Sequence, residues 1–216
     1  MELERVTFLV DGFNLYHSLK SASIALGLNE AGTKWLDLSA LCQSYLHLFG
    51  KAARLREIHY FSALAKHLEA TKPDVTARHL AYITCLQDSE VSVELSRFKK
   101  KRFRCEHCGA NLKRHEEKET DVALGSKLLE LFVNDSCDRA VIVTGDTDVA
   151  PAVRTAKRLF PLKTVSFAFP YDRKNDELAQ LVETSFHISK DAYTKHQLPN
   201  PYMTKAGHSV SKPSKW

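Results

Sequence analysis

Four aspartates stand where short apolar runs end or begin, and carboxylates so placed could hold a divalent cation. Asp11 closes Val6-Thr7-Phe8-Leu9-Val10, while Asp146 and Asp148 follow Ala140-Val141-Ile142-Val143-Thr144-Gly145. Asp121 opens Asp121-Val122-Ala123-Leu124 midway between them. Parallel strands present their carboxyl ends at one sheet edge, so carboxylates there make an acidic pocket. Like charges held together repel, and a cation relieves the repulsion. Mg²⁺ and Mn²⁺ favour carboxylate oxygen and water, can clamp a phosphodiester and can activate a water. The expected chemistry is therefore metal-dependent and directed at phosphates. Asp11 and Asp146, on neighbouring strand ends, lead the ligand set. Asp148 joins if its loop curls, and Asp121 approaches from a helix start. Asn14 and Thr147 can hydrogen-bond a carboxylate or a phosphate. Taken singly, Asp121 and Asp148 are also ordinary helix N-caps, and Asp11-Gly12 an ordinary turn.

A second constellation is basic. Arg97-Phe98-Lys99-Lys100-Lys101-Arg102-Phe103-Arg104 carries six cations and two phenylalanines. That density suits phosphate neutralisation, and the rings suit stacking on unpaired bases. Lys118 is a further candidate phosphate contact. The competing reading is a solvated hairpin with Phe98 and Phe103 in the core. Cys105-Glu106-His107-Cys108 is half of a zinc knuckle. Structural zinc takes four ligands, and His107, His115 and Cys85 lack a decisive spacing, so a reduced pair in a tight turn is the preferred reading over Zn²⁺.

The elements that must position these groups follow from periodicity. Residues 5–10, 56–65, 139–144 and 163–169 are expected strands, and 186–188 a final one. Residues 89–104 alternate in polarity, as a half-exposed strand does. Helices are expected over 14–25, after Asp37, from Pro73 to Leu86, from Asp121, after Asp148 with Pro151 in the first turn, and over 178–184. This order predicts an α/β fold: a mostly parallel central sheet with helices on both faces and a basic, Cys-containing insertion over about 89–118. Residues 1–194 form the expected domain. Residues 195–216, richer in Pro, Ser and Lys, are an expected flexible tail and a candidate segment for binding a protein partner.

Three contexts in this order, Asp11-Gly12-Phe13-Asn14-Leu15-Tyr16, Lys118-Glu119-Thr120-Asp121-Val122-Ala123-Leu124 and Thr144-Gly145-Asp146-Thr147-Asp148-Val149-Ala150-Pro151, resemble the NYN family of the PIN-like nuclease superfamily. The resemblance runs from about residue 5 to 190 and includes Leu178 to Ile188. It implies a three-layer α/β/α PIN-like fold and a Mg²⁺- or Mn²⁺-dependent endoribonuclease. It also implies a metal site of Asp11, Asp121, Asp146 and Asp148, with Asn14 completing the catalytic set. RNA is the implied partner, and a homodimer is compatible because PIN-like relatives often dimerise.

Composition narrows the field. The chain has 216 residues, a net charge of +5 and 44% hydrophobic residues, as an ordinary globular protein with a mild lean towards anions has. No stretch is apolar enough to span a membrane, and Met1-Glu2-Leu3-Glu4 has no signal-peptide pattern. Five cysteines without an export signal predict reduced thiols in a cytoplasmic protein. Competing functions are RNA binding without turnover, a small-molecule enzyme on the same scaffold, and a haloacid-dehalogenase-type phosphatase. The last needs an acid two residues beyond its nucleophile, and Phe13 occupies that place after Asp11.

Overall fold

Every residue of β1 (Glu4–Asp11) from Val6 onward is buried, as in a strand covered on both faces. β1 pairs in parallel with β2 (Ala53–Ala63) and β5 (Arg139–Val143). β3 (Ser92–Arg104) extends the sheet beyond β2, and β6 (Thr164–Phe169) and β7 (Thr184–His187) extend it beyond β5, all in parallel. β4 (Asn111–Lys118) folds back antiparallel on β3, giving the order β4-β3-β2-β1-β5-β6-β7. The structure, a computed structural model, describes residues 3–29, 32–104 and 107–214, without the side chains of 102, 103 and 111–118.

Helices cover both faces. Phe8 and Val10 of β1 pack under α1 (Gly12–Ala25), α2 (Leu38–Tyr45) and α3 (Val75–Asp88). Leu9 faces the other way, into a core shared with α4 (Thr120–Val133), α5 (Ala150–Leu159) and α6 (Asp176–Leu181). This is the expected three-layer α/β/α arrangement. Caps set the helix starts: the Asp37 carboxylate accepts from Ala40 N at 2.9 Å, and Asn175 caps α6 through Leu178 N at 3.2 Å. That cap starts α6 ahead of the expected Leu178 and frees Thr184 to begin β7.

Two expectations change. Ser92–Ser96 is not insertion: it pairs with His59–Ala63 inside the sheet, and only the hairpin beyond Arg97 projects. Residues 195–216 are not a loose tail up to residue 214. After α7 (Lys190–Lys195), Leu198 enters the core, its N–H donates to Trp35 O at 2.9 Å, and Trp35 Nε1 donates to Pro199 O at 3.0 Å. A small hairpin, β8 (Tyr202–Met203) with β9 (Ser209–Val210), follows, and the Tyr202 hydroxyl donates to Asp88 Oδ2 at 2.8 Å. Isolated anchors in separate slots produce no periodicity, which is why the sequence pattern missed them. Leu198→Ala is expected to lower stability by about 2–5 kcal/mol, as a buried leucine truncation does, measured by urea unfolding.

At the amino ends of β1 and β5, Arg5 grips Asp138 through Nε at 3.0 Å and Nη2 at 2.8 Å, and Lys163 joins at 3.1 Å. Hydrogen bonds from Arg5 hold the Asp138 carboxyl well below the usual carboxylate range. Because the folded pKa is depressed, this stabilisation is present above about pH 4, the unfolded value, and fades as pH falls below it. Asp138→Asn is expected to cost about 1 kcal/mol at pH 7, given partial solvent screening, with a smaller difference by pH 3 in denaturant titrations.

No helix among the described residues is long and apolar enough to cross a membrane.

Candidate functional site

The carboxyl ends of β1 and β5 lie side by side, with Val10 opposite Val143. Asp11 therefore ends its strand next to the Thr144-Gly145-Asp146 turn. Asp11 is buried, and its two oxygens do different work. Oδ1 accepts from Asn14 N at 2.9 Å, capping α1, and Oδ2 accepts from the Thr144 hydroxyl at 2.8 Å. The Thr144 oxygen in turn accepts from Asp146 N at 3.1 Å. Asn14 Oδ1 accepts from Gly145 N at 3.1 Å, so the start of α1 is tied directly to the β5 turn.

Asp11, Asn14, Asp121 and Asp146 line one cleft of about 200 Å³, with Phe13, His17, Thr120 and Arg173 completing it. Three of the four predicted aspartates thus share a cavity. Asp148 does not line it. Residues Thr147–Val149 form a 3-10 turn capped by Asp146, which accepts from Asp148 N at 3.1 Å, and the Asp148 side chain is exposed. Thr147 does not line the cleft either. Asp121 arrives on the first turn of α4 after Glu119, which adopts φ +84°, a left-handed conformation costly for a side-chain-bearing residue. Glu119 accepts from Arg97 Nη2 at 3.1 Å and pairs with Lys99 at 3.0 Å, so the basic hairpin holds the turn that delivers Asp121.

Burial raises the Asp11 pKa, the nearby Asp146 charge raises it further, and the bonds from Asn14 and Thr144 oppose both. His17 is lowered by burial and by the positive charges of Arg173 and Lys20. Two glycines permit the close packing here. A Cβ on Gly12 would stand 2.7 Å from Phe61 O, and one on Gly145 would stand 2.0 Å from Arg173 O. Gly145→Ala must displace the loop that carries Arg173. The substitution is expected to lower stability by about 1–3 kcal/mol, the cost of overpacking, measured by urea unfolding with Arg173→Ala as the comparison.

Arg173 and His17 were not singled out from sequence. Arg173 sits in Tyr171-Asp172-Arg173-Lys174, the polar turn after β6 and therefore on the same carboxyl edge, where ligands gather in parallel sheets. Among the described residues its Nε is buried without a hydrogen-bond partner. A group so placed beside acids offers a donor to an anion entering the cleft.

Among the described residues, no three His, Cys, Asp or Glu side chains approach closely enough to hold a metal ion directly. The donor set still suits a hard cation. The cleft's acids are all carboxylates, and Mg²⁺ commonly keeps several waters while taking only one or two carboxylates. Zinc has less support. Cys108 is exposed, Cys105 and the His115 side chain lie outside the described residues, and Cys85 is buried in the core on α3. Among the predicted RNA contacts, Arg97, Lys99, Lys100, Lys101 and Arg104 lie along β3, while the side chains of Arg102 and Lys118 lie outside the described residues. Phe98 is half-buried, its ring 5.5 Å from Phe13 and 4.5 Å from His67.

The NYN domain matches the chain over residues 5–190. No curated protein matches the sequence. A solved structure of a protein of unknown function from Vibrio parahaemolyticus is similar in fold, with 16% identity, a TM-score of 0.53 and coverage of 88% of this chain and 96% of that one. A Listeria monocytogenes structure described as a UDP-N-acetylglucosamine 2-epimerase shares 10% identity over 89% of this chain and 41% of its own, at a TM-score of 0.35 that carries no argument.

Proposed function

This chain belongs to the NYN domain family of PIN-like nucleases, and on that premise we propose that it is a metal-dependent ribonuclease hydrolysing RNA phosphodiester bonds. The observation that carries the proposal is the single cleft that gathers Asp11, Asp121 and Asp146 from three separate elements.

Asp11, Asp121 and Asp146 are the residues to hold Mg²⁺ or Mn²⁺, some through water. When bound, such an ion lowers the pKa of a water and offsets charge on the phosphate. The protein's own groups do the rest. Thr144 keeps the Asp11 carboxylate oriented, and Asn14 holds the β5 turn against α1. Arg173 supplies a guanidinium to a non-bridging phosphate oxygen, where an unpartnered donor gains most. In the reaction, the oxygen of water bonds to phosphorus and the bond from phosphorus to the 3′ oxygen breaks. The products are a 5′-phosphate and a 3′-hydroxyl, with the proton of water passing to the leaving oxygen by way of solvent.

One observation favours a second reading, RNA binding without turnover: no three carboxylates converge to direct coordination distance among the described residues. The two readings part in one assay. Labelled single-stranded RNA is incubated with the protein in Mn²⁺, in Mg²⁺ and in EDTA. Cleavage that needs the metal, stops in EDTA, returns on Mn²⁺ addition and leaves 5′-phosphates supports the nuclease. Binding with no cleavage in any metal leaves the second reading.

A further inference from the structure

Beside the acidic cleft, and sharing Phe13 and His17 with it, runs a groove of about 320 Å³ between α1, β2, α3 and the root of the β3 hairpin. Its lining is opposite in character. Phe13, Phe98 and Tyr60 contribute rings, Lys20, Lys72 and Arg78 contribute charge, and among the described residues no aspartate or glutamate lines it. The rings are packed edge to face, Phe13 on Phe98 at 5.5 Å and Tyr60 on His79 at 6.5 Å, so their orientations are set before anything enters. At the floor, the Tyr60 ring lies against the backbone of Gly12, where even a Cβ would come within 2.6 Å.

Resting on the nuclease reading above, we infer that this groove receives the nucleobase adjacent to the scissile phosphate, unstacked from its RNA strand. Three features select that occupant. Aromatic faces bind any base by stacking, whereas a phosphate alone gains nothing from them. The cations at the rim match the backbone on either side of the base. A space of this volume takes a drug-sized group rather than a duplex, so it selects single-stranded RNA or an extruded nucleotide. The shared wall of Phe13 and His17 makes the accepted base an immediate neighbour of the phosphate in the cleft, which turns the groove into a register-setting subsite. Burial lowers the His79 pKa to about 4, so its ring faces the groove uncharged near neutral pH.

The test uses RNA of about ten nucleotides, within the usual length of a single-strand site, in which one abasic residue is walked along the chain. Binding is measured in EDTA, so cleavage plays no part, and cut positions are mapped separately in Mn²⁺. One abasic position, at a constant offset from the cut, is expected to weaken wild-type binding by about fivefold to 150-fold, the range for one lost stack. Phe98→Leu, which keeps apolar volume but loses the ring, should weaken binding of intact RNA comparably and bind the singly abasic RNA as wild type does. Arg78→Ala, outside the aromatic packing, should weaken both RNAs alike. If every abasic RNA and both variants bind as well as the unmodified pair while Mn²⁺-dependent cleavage persists, the groove is not a base subsite and the nuclease reading stands. If intact RNA neither binds nor is cleaved, both fall.

Discussion

Asp146→Asn is expected to reduce Mn²⁺-dependent RNA cleavage by more than about a hundredfold, since losing a group that only orients a metal ligand already costs about 10–100-fold in metal affinity or activity. Asparagine is the sharper substitution than alanine. Asp146 caps the 3-10 turn through Asp148 N, and an amide oxygen can still accept that bond while the charge disappears. Alanine would lose both, and about 1 kcal/mol of capping with them. Stability should move the other way without metal. Asp11 has a raised pKa, partly from the charge of Asp146, so the folded chain holds that proton more tightly than the unfolded chain does. Metal-free stability therefore declines as pH rises through the raised value, and Asp146→Asn eases the repulsion behind it. Thermal scans at pH 7 should show the variant melting no lower than the wild type in EDTA. Added Mn²⁺ should raise the midpoint of the wild type but not of the variant, because only a ligand bound to the folded state stabilises it. A variant that cleaves at the wild-type rate removes Asp146 from the site.

Replacing Lys99, Lys100 and Lys101 together with alanine is expected to flatten the salt dependence of RNA binding by about two units of log–log slope, at about 0.7 per phosphate contact on a single strand. The loss should be greatest at low salt, with the two binding curves converging as salt rises. These lysines lie on the projecting half of β3, paired with β4 in the register Lys99↔Glu116, Lys100↔His115 and Lys101↔Arg114. Lys99 has a second task, because its ammonium lies 3.0 Å from Glu119. Losing it loosens the turn that presents Asp121. The double variant Lys100→Ala/Lys101→Ala leaves that pair alone and separates the contributions: it should flatten the slope with cleavage at saturating RNA unchanged. An unaltered slope in the triple variant would show that the strand takes another path to the cleft.

How much of this was legible in the residues depended on the range of the interaction behind each feature. The Asp37 cap is local, a side chain meeting an N–H three residues on, and the Ser/Asp/Asn preference at such positions exposes it. The buried strands were equally legible, because a run such as Ala140-Val141-Ile142-Val143 is apolar on both faces for a reason carried in the run itself. The Asp148 carboxylate was not: the residue's N–H donates to Asp146 across the turn, and its side chain is exposed and outside the cleft lining. The place of Arg173 in the cleft and the packing of Leu198 depended on residues far along the chain, which no window of neighbouring residues contains.

From the chain alone came the element order, the placement of acids at strand ends and the alternation that marks β3, all set by short-range sterics and by the period of apolar residues. Tertiary structure decided which of those acids share a cleft, that a guanidinium from the β6 turn stands beside them, and that an aromatic, cationic groove opens next to them. Those outcomes rest on the parallel register of β1 against β5 and on the hairpin's grip on Glu119. Both are long-range contacts, formed only once the sheet has closed.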